Sequence, residues 1–272
     1  MKTKVIIEVG CNHNGEMDLA RKMVISAKSL GAWSVKFQKR DIDSIPENVK
    51  IKLRNLSDSF GENYYEHRKA LEFSFDQIRD LKKLVEGLGM VFSCSAFDGE
   101  SFEFLKDIKT EHIKLPSQLF TDNSFFSNRG SRNYKIIVST GMHEEEEILL
   151  SPWVDNADII LHCISVYPCL TSDMNLQTLK TLRGISTAEI GYSSHDLHGY
   201  GIPFAIMAGA KYIERHFTLD NDMKGSDHKT VSSDPLEMAY IMDRIKDVEK
   251  IIGGERVLSE KERKIKLIYR GF

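Results

Sequence analysis

The chain has 272 residues, 41% hydrophobic and 28% charged, with a formal net charge of −3. That length can bury a large core without disulfides or structural zinc, and nothing in the near-neutral overall balance points to nucleic acid or a membrane surface, the basic run from Lys261 to Arg270 being the one local exception. Four cysteines without a CxxC pair, no signal-peptide core after Met1, and no apolar run near the ~18 residues of a membrane span predict a reducing, cytoplasmic setting.

Short β-rich runs recur along the chain at Val5–Val9, Ser34–Phe37, Met90–Ser93, His112–Leu115, Lys135–Val138, Asp158–His162, Glu189–Tyr192 and Lys211–Glu214. Helical patterns lie between them, several ending at glycine. Leu19–Leu30 stops at Gly31, and Ile78–Leu88 stops at Gly89 after a Ser74-Phe-Asp-Gln77 capping box. Asp98 opens Ser101–Ile108, and Thr121 opens a shorter segment ending before Gly130. Glu144–Leu150, Leu176–Leu182 and Ile202–Ala208 follow, and Pro235–Ile252 is the longest, ending at Gly253-Gly254. The strand runs show little alternation, as expected where both faces are covered. Even spacing of eight such units predicts a closed (β/α)8 TIM barrel. The chain reads as one domain over 1–272, with a short basic tail at 255–272. The long Lys39–Phe73 connection is expected to fold over the barrel mouth.

Chemistry in a parallel barrel belongs at the carboxyl ends of the strands. Those ends carry Glu8; Lys36 with Gln38; Ser93 and Ser95; Lys114 and Ser117; Ser139 with Thr140; His162, Ser165 and Tyr167; Ser193 with His195; and Glu214 with His216. One serine or lysine there is an ordinary turn residue, and one histidine an ordinary hydrogen-bonding group. A full polar ring is costly to bury unless it meets an anionic ligand. Two lysines among hydroxyls suit a phosphate together with a carboxylate. His195 and His216, at the ends of neighbouring strands, suit a divalent metal or an acid–base pair. Glu144–Glu147 reads as a solvated first helical turn, Cys11 and His13 as part of a supporting loop, and Trp33 and Trp153 as packing residues.

The segments Glu8-Val-Gly-Cys-Asn-His-Asn-Gly15, Val35-Lys-Phe-Gln38, Ile113-Lys-Leu-Pro-Ser117, Val138-Ser-Thr-Gly-Met142, Leu161-His-Cys-Ile-Ser-Val-Tyr-Pro168, Gly191-Tyr-Ser-Ser-His195, Ile213-Glu-Arg-His-Phe-Thr218 and Gly225-Ser-Asp-His228 together resemble the sialic acid synthase family. The resemblance spans the chain and implies a metal-dependent enzyme condensing phosphoenolpyruvate with an N-acyl hexosamine, with release of phosphate. It implies that His195 and His216 ligate Mn²⁺ or Mg²⁺. By the same likeness Lys36, Ser95, Lys114, Ser117, Ser139, Ser165 and Ser193 form the phosphoenolpyruvate pocket. Gln38, Tyr167 and Asp227 face the sugar or metal, Asp227 and Lys36 standing among the catalytic residues, and Glu8 is a carboxylate for proton transfer. A homodimer is implied on the same ground. Condensation with another aldose or sugar phosphate, and a non-catalytic binding barrel, stay open as alternatives.

Three features depart from the family pattern. Leu119 stands where many relatives carry glutamate, and Ser194 replaces the usual aspartate or glycine of Tyr-Ser-x-His. Many relatives also append a small antifreeze-like domain that delivers an arginine to a partner's site. Here the sugar is expected to be held by other groups, from the Lys39–Phe73 connection or the basic tail.

Overall fold

Eight parallel strands close into a barrel in chain order: β1 (Lys4–Gly10), β2 (Ser34–Lys39), β3 (Val91–Ala96), β4 (His112–Leu115), β5 (Lys135–Ser139), β6 (Ile159–Cys163), β7 (Glu189–Ser194) and β8 (Tyr212–His216), with β8 pairing back onto β1. The computed structural model describes residues 2–54, 59–125, 132–224 and 228–270. Each predicted strand is present, most of them one to three residues longer at the carboxyl end.

Side-chain alternation along each strand divides the core into two shells. The outward set, including Val5, Ile7, Val9, Val35, Phe37, Ile113 and Val138, packs against the helices. The inward set begins with a small apolar floor of Ile6, Ile137, Ile159, Leu161 and Tyr212, capped by Trp33. Two residues further along four of these strands, the inward position changes character: Ile6 gives way to Glu8, Ile137 to Ser139, Leu161 to Cys163, and Tyr212 to Glu214. Buried aliphatic and aromatic side chains contribute roughly 1.5–3 kcal/mol each, so the outer shell and the floor carry the fold and leave the upper barrel free for polar groups.

Helices α1 (Met17–Leu30), α4 (Phe75–Gly87), α5 (Gly99–Asp107), α6 (Glu145–Leu150), α8 (Thr178–Ile185), α9 (Ile202–Met207) and α10 (Pro235–Ile252) match the predicted segments within a few residues. Their ends follow local chemistry. Ser74 and Gln77 make the expected capping box, Asp98 accepts from the Ser101 N–H, and Asp234 caps α10 ahead of Pro235. Gly31 closes α1 in the left-handed region at φ 82°, where a Cβ is disfavoured.

Differences from expectation lie in the connections. The segment after Thr121 forms only a 3₁₀ turn, Asn123–Phe125. The Asp122 carboxylate accepts from the Ser124 N–H, which competes with a helix start. The rest of that expected helix, 126–131, lies outside the described residues. The Lys39–Phe73 connection contains two helices, α2 (Glu47–Lys50) and α3 (Tyr64–Leu71), and α3 buries His67, Arg68 and Leu71. A short α7 (Trp153–Asn156) follows α6 and buries Trp153 completely. The basic tail forms α11 (Glu260–Arg270), which buries no residue. Among the described residues no helix is long and apolar enough to cross a membrane.

Candidate active site

Register brings the acidic and basic residues of the strand ends to one level. Glu8 pairs with Lys36 on one side and His216 on the other, Ser95 pairs with Lys114, and Ser193 pairs with Glu214. They open into a cavity of about 210 Å³ at the carboxyl end of the barrel. Glu8, Lys36, Gln38, Ser95, Lys114, Ser117, Ser139, Ser165, Tyr167, Ser193, His195 and His216 all line it. Asp227 lies outside the described residues.

The cavity base is an array of two carboxylates and two ammonium groups. Lys36 Nζ lies 2.7 Å from Glu8 Oε2 and 3.6 Å from Glu214 Oε2, and donates to Ser95 Oγ at 2.9 Å. Lys114 Nζ donates to Glu214 Oε1 at 2.5 Å, where Ser193 Oγ also donates at 2.9 Å. Gln38 Nε2 donates to the other Glu8 oxygen at 2.9 Å. The two carboxyls are driven apart. Burial, reinforced by the nearby Glu214 charge, raises Glu8 despite the attraction of Lys36. Burial also acts to raise Glu214, but Lys114 and Lys36 outweigh it and hold that carboxyl down at about 2. Opposite shifts in adjacent carboxyls separate a proton carrier from a permanent anion. Among the lysines, burial and the neighbouring Lys36 lower Lys114, whereas Glu214 and Glu8 overcome burial to raise Lys36.

Beside this array the rings of His195 and His216 lie 5.6 Å apart, centroid to centroid, and both residues are buried. Burial pushes His195 down to about 3 and His216 well below its ordinary value, so both are neutral. His195 Nδ1 donates to the Ile164 carbonyl at 2.8 Å, which fixes the tautomer and leaves a lone pair on Nε2. Ser193 Oγ is 3.3 Å from that Nε2, but its proton is directed to Glu214. An imidazole anchored through Nδ1 with a bare Nε2 is the form that ligates a metal. The ring separation lets both converge on one cation, given metal–nitrogen bonds of about 2.1 Å. The donor set therefore fits a divalent ion held by two histidines with its other positions open. No group of three His, Cys, Asp or Glu residues arranged for a metal occurs among the described residues.

The opposite wall, from β4 to β6, supplies hydroxyls. Ser139 is buried, and its Oγ has no hydrogen-bond partner among the described residues. Ser117 Oγ stands 3.3 Å from Cys163 Sγ. Gly141 passes so close that a Cβ there would collide with the hydroxyls of Ser165 and Ser117. Unsatisfied donors around a close-packed backbone form a cradle for an anion.

Some assignments change. His162 faces away from this cavity, bonding through Nε2 to the Met174 carbonyl and stacking on Tyr192. Ser93 Oγ is spent on the His112 carbonyl, and Ser93 and Thr140 do not line the cavity. Leu119, the departure from the family pattern, packs partly buried against the outer core. The loop and packing assignments agree with the structure: His13 stacks 3.9 Å from Phe73, Trp153 is fully buried, and Glu144 and Glu147 form an exposed capping box.

Sequence reasoning gave Glu214 no role, although its spacing of two from His216 places both on the inward face. It also missed His228, whose ring lies 4.6 Å from His216 and stacks 4.3 Å from Tyr167. Arg40, Tyr64 and Arg68 come from the long connection and line the mouth, whereas no described residue of 255–270 does.

The NeuB family model matches residues 23–257. The chain is 34% identical to the N,N'-diacetyllegionaminic acid synthase of Legionella pneumophila, over 98% of this chain and 78% of that protein. It is 33% identical to the human N-acetylneuraminate-9-phosphate synthase, over 92% of this chain and 71% of that one. The crystal structure of a sialic acid synthetase from Leptospira borgpetersenii, in complex with citrate, superposes with a TM-score of 0.82 at 26% identity, covering 100% of this chain and 92% of that one.

Proposed function

This chain belongs to the NeuB family, and on that premise we propose that it condenses phosphoenolpyruvate with an N-acyl hexosamine to form a nonulosonic acid and phosphate. The observation that carries the reading is the convergence, in one cavity, of a lysine–glutamate array, a hydroxyl cradle and a pair of neutral histidines. Lys36, Lys114 and the hydroxyls of Ser95, Ser117, Ser139, Ser165 and Ser193 hold the anionic donor without reorganising. Gln38 and Tyr167 face the acceptor, and for Asp227 the same role rests on the family resemblance.

His195 and His216 would hold Mn²⁺ or Mg²⁺, which when bound supplies Lewis-acid polarisation of the acceptor aldehyde. The donor's C3 then bonds to the aldehyde carbon, leaving an alkoxide and an oxocarbenium-like C2. Glu8, with its raised affinity for a proton, gives that proton to the alkoxide and recovers one from the water that bonds to C2. The C2–O bond to phosphorus breaks last, and phosphate leaves with the C2 hydroxyl proton. Glu214 stays ionised throughout and keeps both lysines in place. All four cysteines are free thiols, which supports a reducing, cytoplasmic compartment.

The test is phosphate release from phosphoenolpyruvate with a panel of aldoses and N-acyl hexosamines, with and without a chelator. Release should require an N-acyl hexosamine, stop on chelation and return with Mn²⁺ or Mg²⁺. Phosphoenolpyruvate binding without turnover on any acceptor would make this a binding barrel instead.

A further inference from the structure

Behind the two histidines, on the outer face of the barrel wall, lies a buried charge that the condensation chemistry does not use. Alternation along β8 turns Glu214 and His216 into the cavity and sends Arg215, between them, outward. Its outward neighbours Ile213 and Phe217 belong to the apolar shell, yet Arg215 is only 1% exposed among them. A guanidinium is costly to bury, and its contacts show what it is used for. Nη1 donates to the Asp196 carbonyl at 2.5 Å and to the Ser194 carbonyl at 3.4 Å, the peptide oxygens of the residues on either side of His195. Nε donates to Ser233 Oγ at 3.0 Å, and Ser233 gives its own backbone N–H to the His216 carbonyl at 2.9 Å. One rigid fork therefore holds the chain around His195 and, through Ser233, the chain at His216.

The sheet alone does not make this connection. The β7–β8 ladder ends with Ser194 opposite Arg215, one residue short of His195. The backbone of His195 accepts from the Cys169 N–H at 2.8 Å and its ring donates to the Ile164 carbonyl, and both ties run to the loop after β6 rather than to β8. Arg215 reaches past the end of the ladder and supplies the missing link. Ser194, one of the departures from the family pattern, takes part: its hydroxyl accepts from Arg215 Nη1 at 3.2 Å and donates to Asp196 Oδ1 at 2.6 Å. The Asp196 carboxylate balances the guanidinium's charge and is itself held by the Gly201 N–H at 2.9 Å.

Resting on the metal assignment of the synthase reading, we propose that Arg215 is a positioning residue: by tying the backbone around His195 to Ser233 behind His216, with Ser194 as its link to Asp196, it sets the separation at which the two imidazoles meet one divalent cation. The task needs arginine because a planar guanidinium presents N–H donors in fixed directions to several acceptors at once, which a single ammonium on a flexible stem does not.

The test measures Mn²⁺ binding to the full chain by electron paramagnetic resonance, alongside phosphoenolpyruvate binding by calorimetry without metal. Arg215→Met, which keeps an apolar stem in the outer shell, should weaken Mn²⁺ binding about 10–100-fold and leave phosphoenolpyruvate affinity unchanged. Arg215→Lys should recover only part of the loss. Ser194→Ala and Ser233→Ala, which each remove one tie and keep the guanidinium, should weaken Mn²⁺ by smaller factors. Unchanged Mn²⁺ affinity in Arg215→Met overturns the proposal, as does a folded variant that loses Mn²⁺ and phosphoenolpyruvate equally. Should Arg215→Met fail to fold, Ser233→Ala decides, and unchanged Mn²⁺ affinity there overturns the proposal. An unsubstituted protein that binds no Mn²⁺ refutes the metal assignment and this role together. Mn²⁺ binding that depends on Arg215, with no turnover on any acceptor, would keep the role and refute the synthase reading.

Discussion

Replacing Glu214 with glutamine tests whether the buried charge array is as tightly coupled as its geometry implies. Glu214 is 3% exposed, accepts from Lys114 at 2.5 Å and from Ser193 at 2.9 Å, and faces Lys36 at 3.6 Å. Glutamine keeps the shape but removes the negative charge, stranding Lys114 in a low-dielectric interior. Breaking one side of a buried ion pair costs about 3–5 kcal/mol. A domain of this size loses about 2 °C of melting temperature per kcal/mol, so the transition should fall by roughly 6–10 °C. Adding Lys114→Met removes the stranded charge and should restore much of the loss. The assay is a double-mutant cycle by urea unfolding, in which the pair should couple by several kcal/mol. A Glu214→Gln cost below about 1 kcal/mol, or simple additivity with Lys114→Met, would show that water or a counter-ion already serves Lys114 and that the array is not the tight unit described here.

Further expectations follow from the same geometry. Glu8→Gln should lower kcat by about 10²–10⁴ with little change in KM for phosphoenolpyruvate, because the amide keeps the cavity's shape but carries no transferable proton; initial rates across donor concentration check this. His195→Ala and His216→Ala should each weaken Mn²⁺ binding at least about 100-fold and lower phosphate release in parallel; full Mn²⁺ affinity in calorimetry of the double variant would place the ion elsewhere. Burial holds His112 down at about 4, with Lys135 and Lys4 acting the same way, against an ordinary value of 6.5. The unfolded chain therefore binds more protons between those values, and stability falls as pH drops through that window, by about 2 kcal/mol from this group between pH 7 and pH 5. Urea midpoints at the two pH values should show a smaller drop for His112→Phe than for the unsubstituted protein.

The cavity residues were legible to different depths. Lys36, Lys114, His195 and His216 were readable because a parallel strand buried on both faces presents alternate residues inward, so a polar residue near its carboxyl end has one destination. The same periodicity misplaced His162, one residue out of phase and hydrogen-bonded to Met174 among the helices. Tyr64 and Arg68 were hidden because α3 lies inside a connection with no strong apolar stripe, and its orientation follows from packing Leu71 and His67 against the rest of the molecule.

Local physics written in the chain thus settled the barrel: glycine stops, Asp and Ser caps, and eight apolar runs act over a few neighbouring residues and need no distant partner. The chemistry of the cavity could not be settled that way. Glu8 and Glu214 are alike as isolated carboxyls, and only closure of the sheet sets Glu214 against Lys114, one hundred residues earlier, while burial leaves Glu8 the readier proton carrier. A proton affinity in a low-dielectric interior depends on charges a few ångströms away in space, and that distance exists only once the chain has folded.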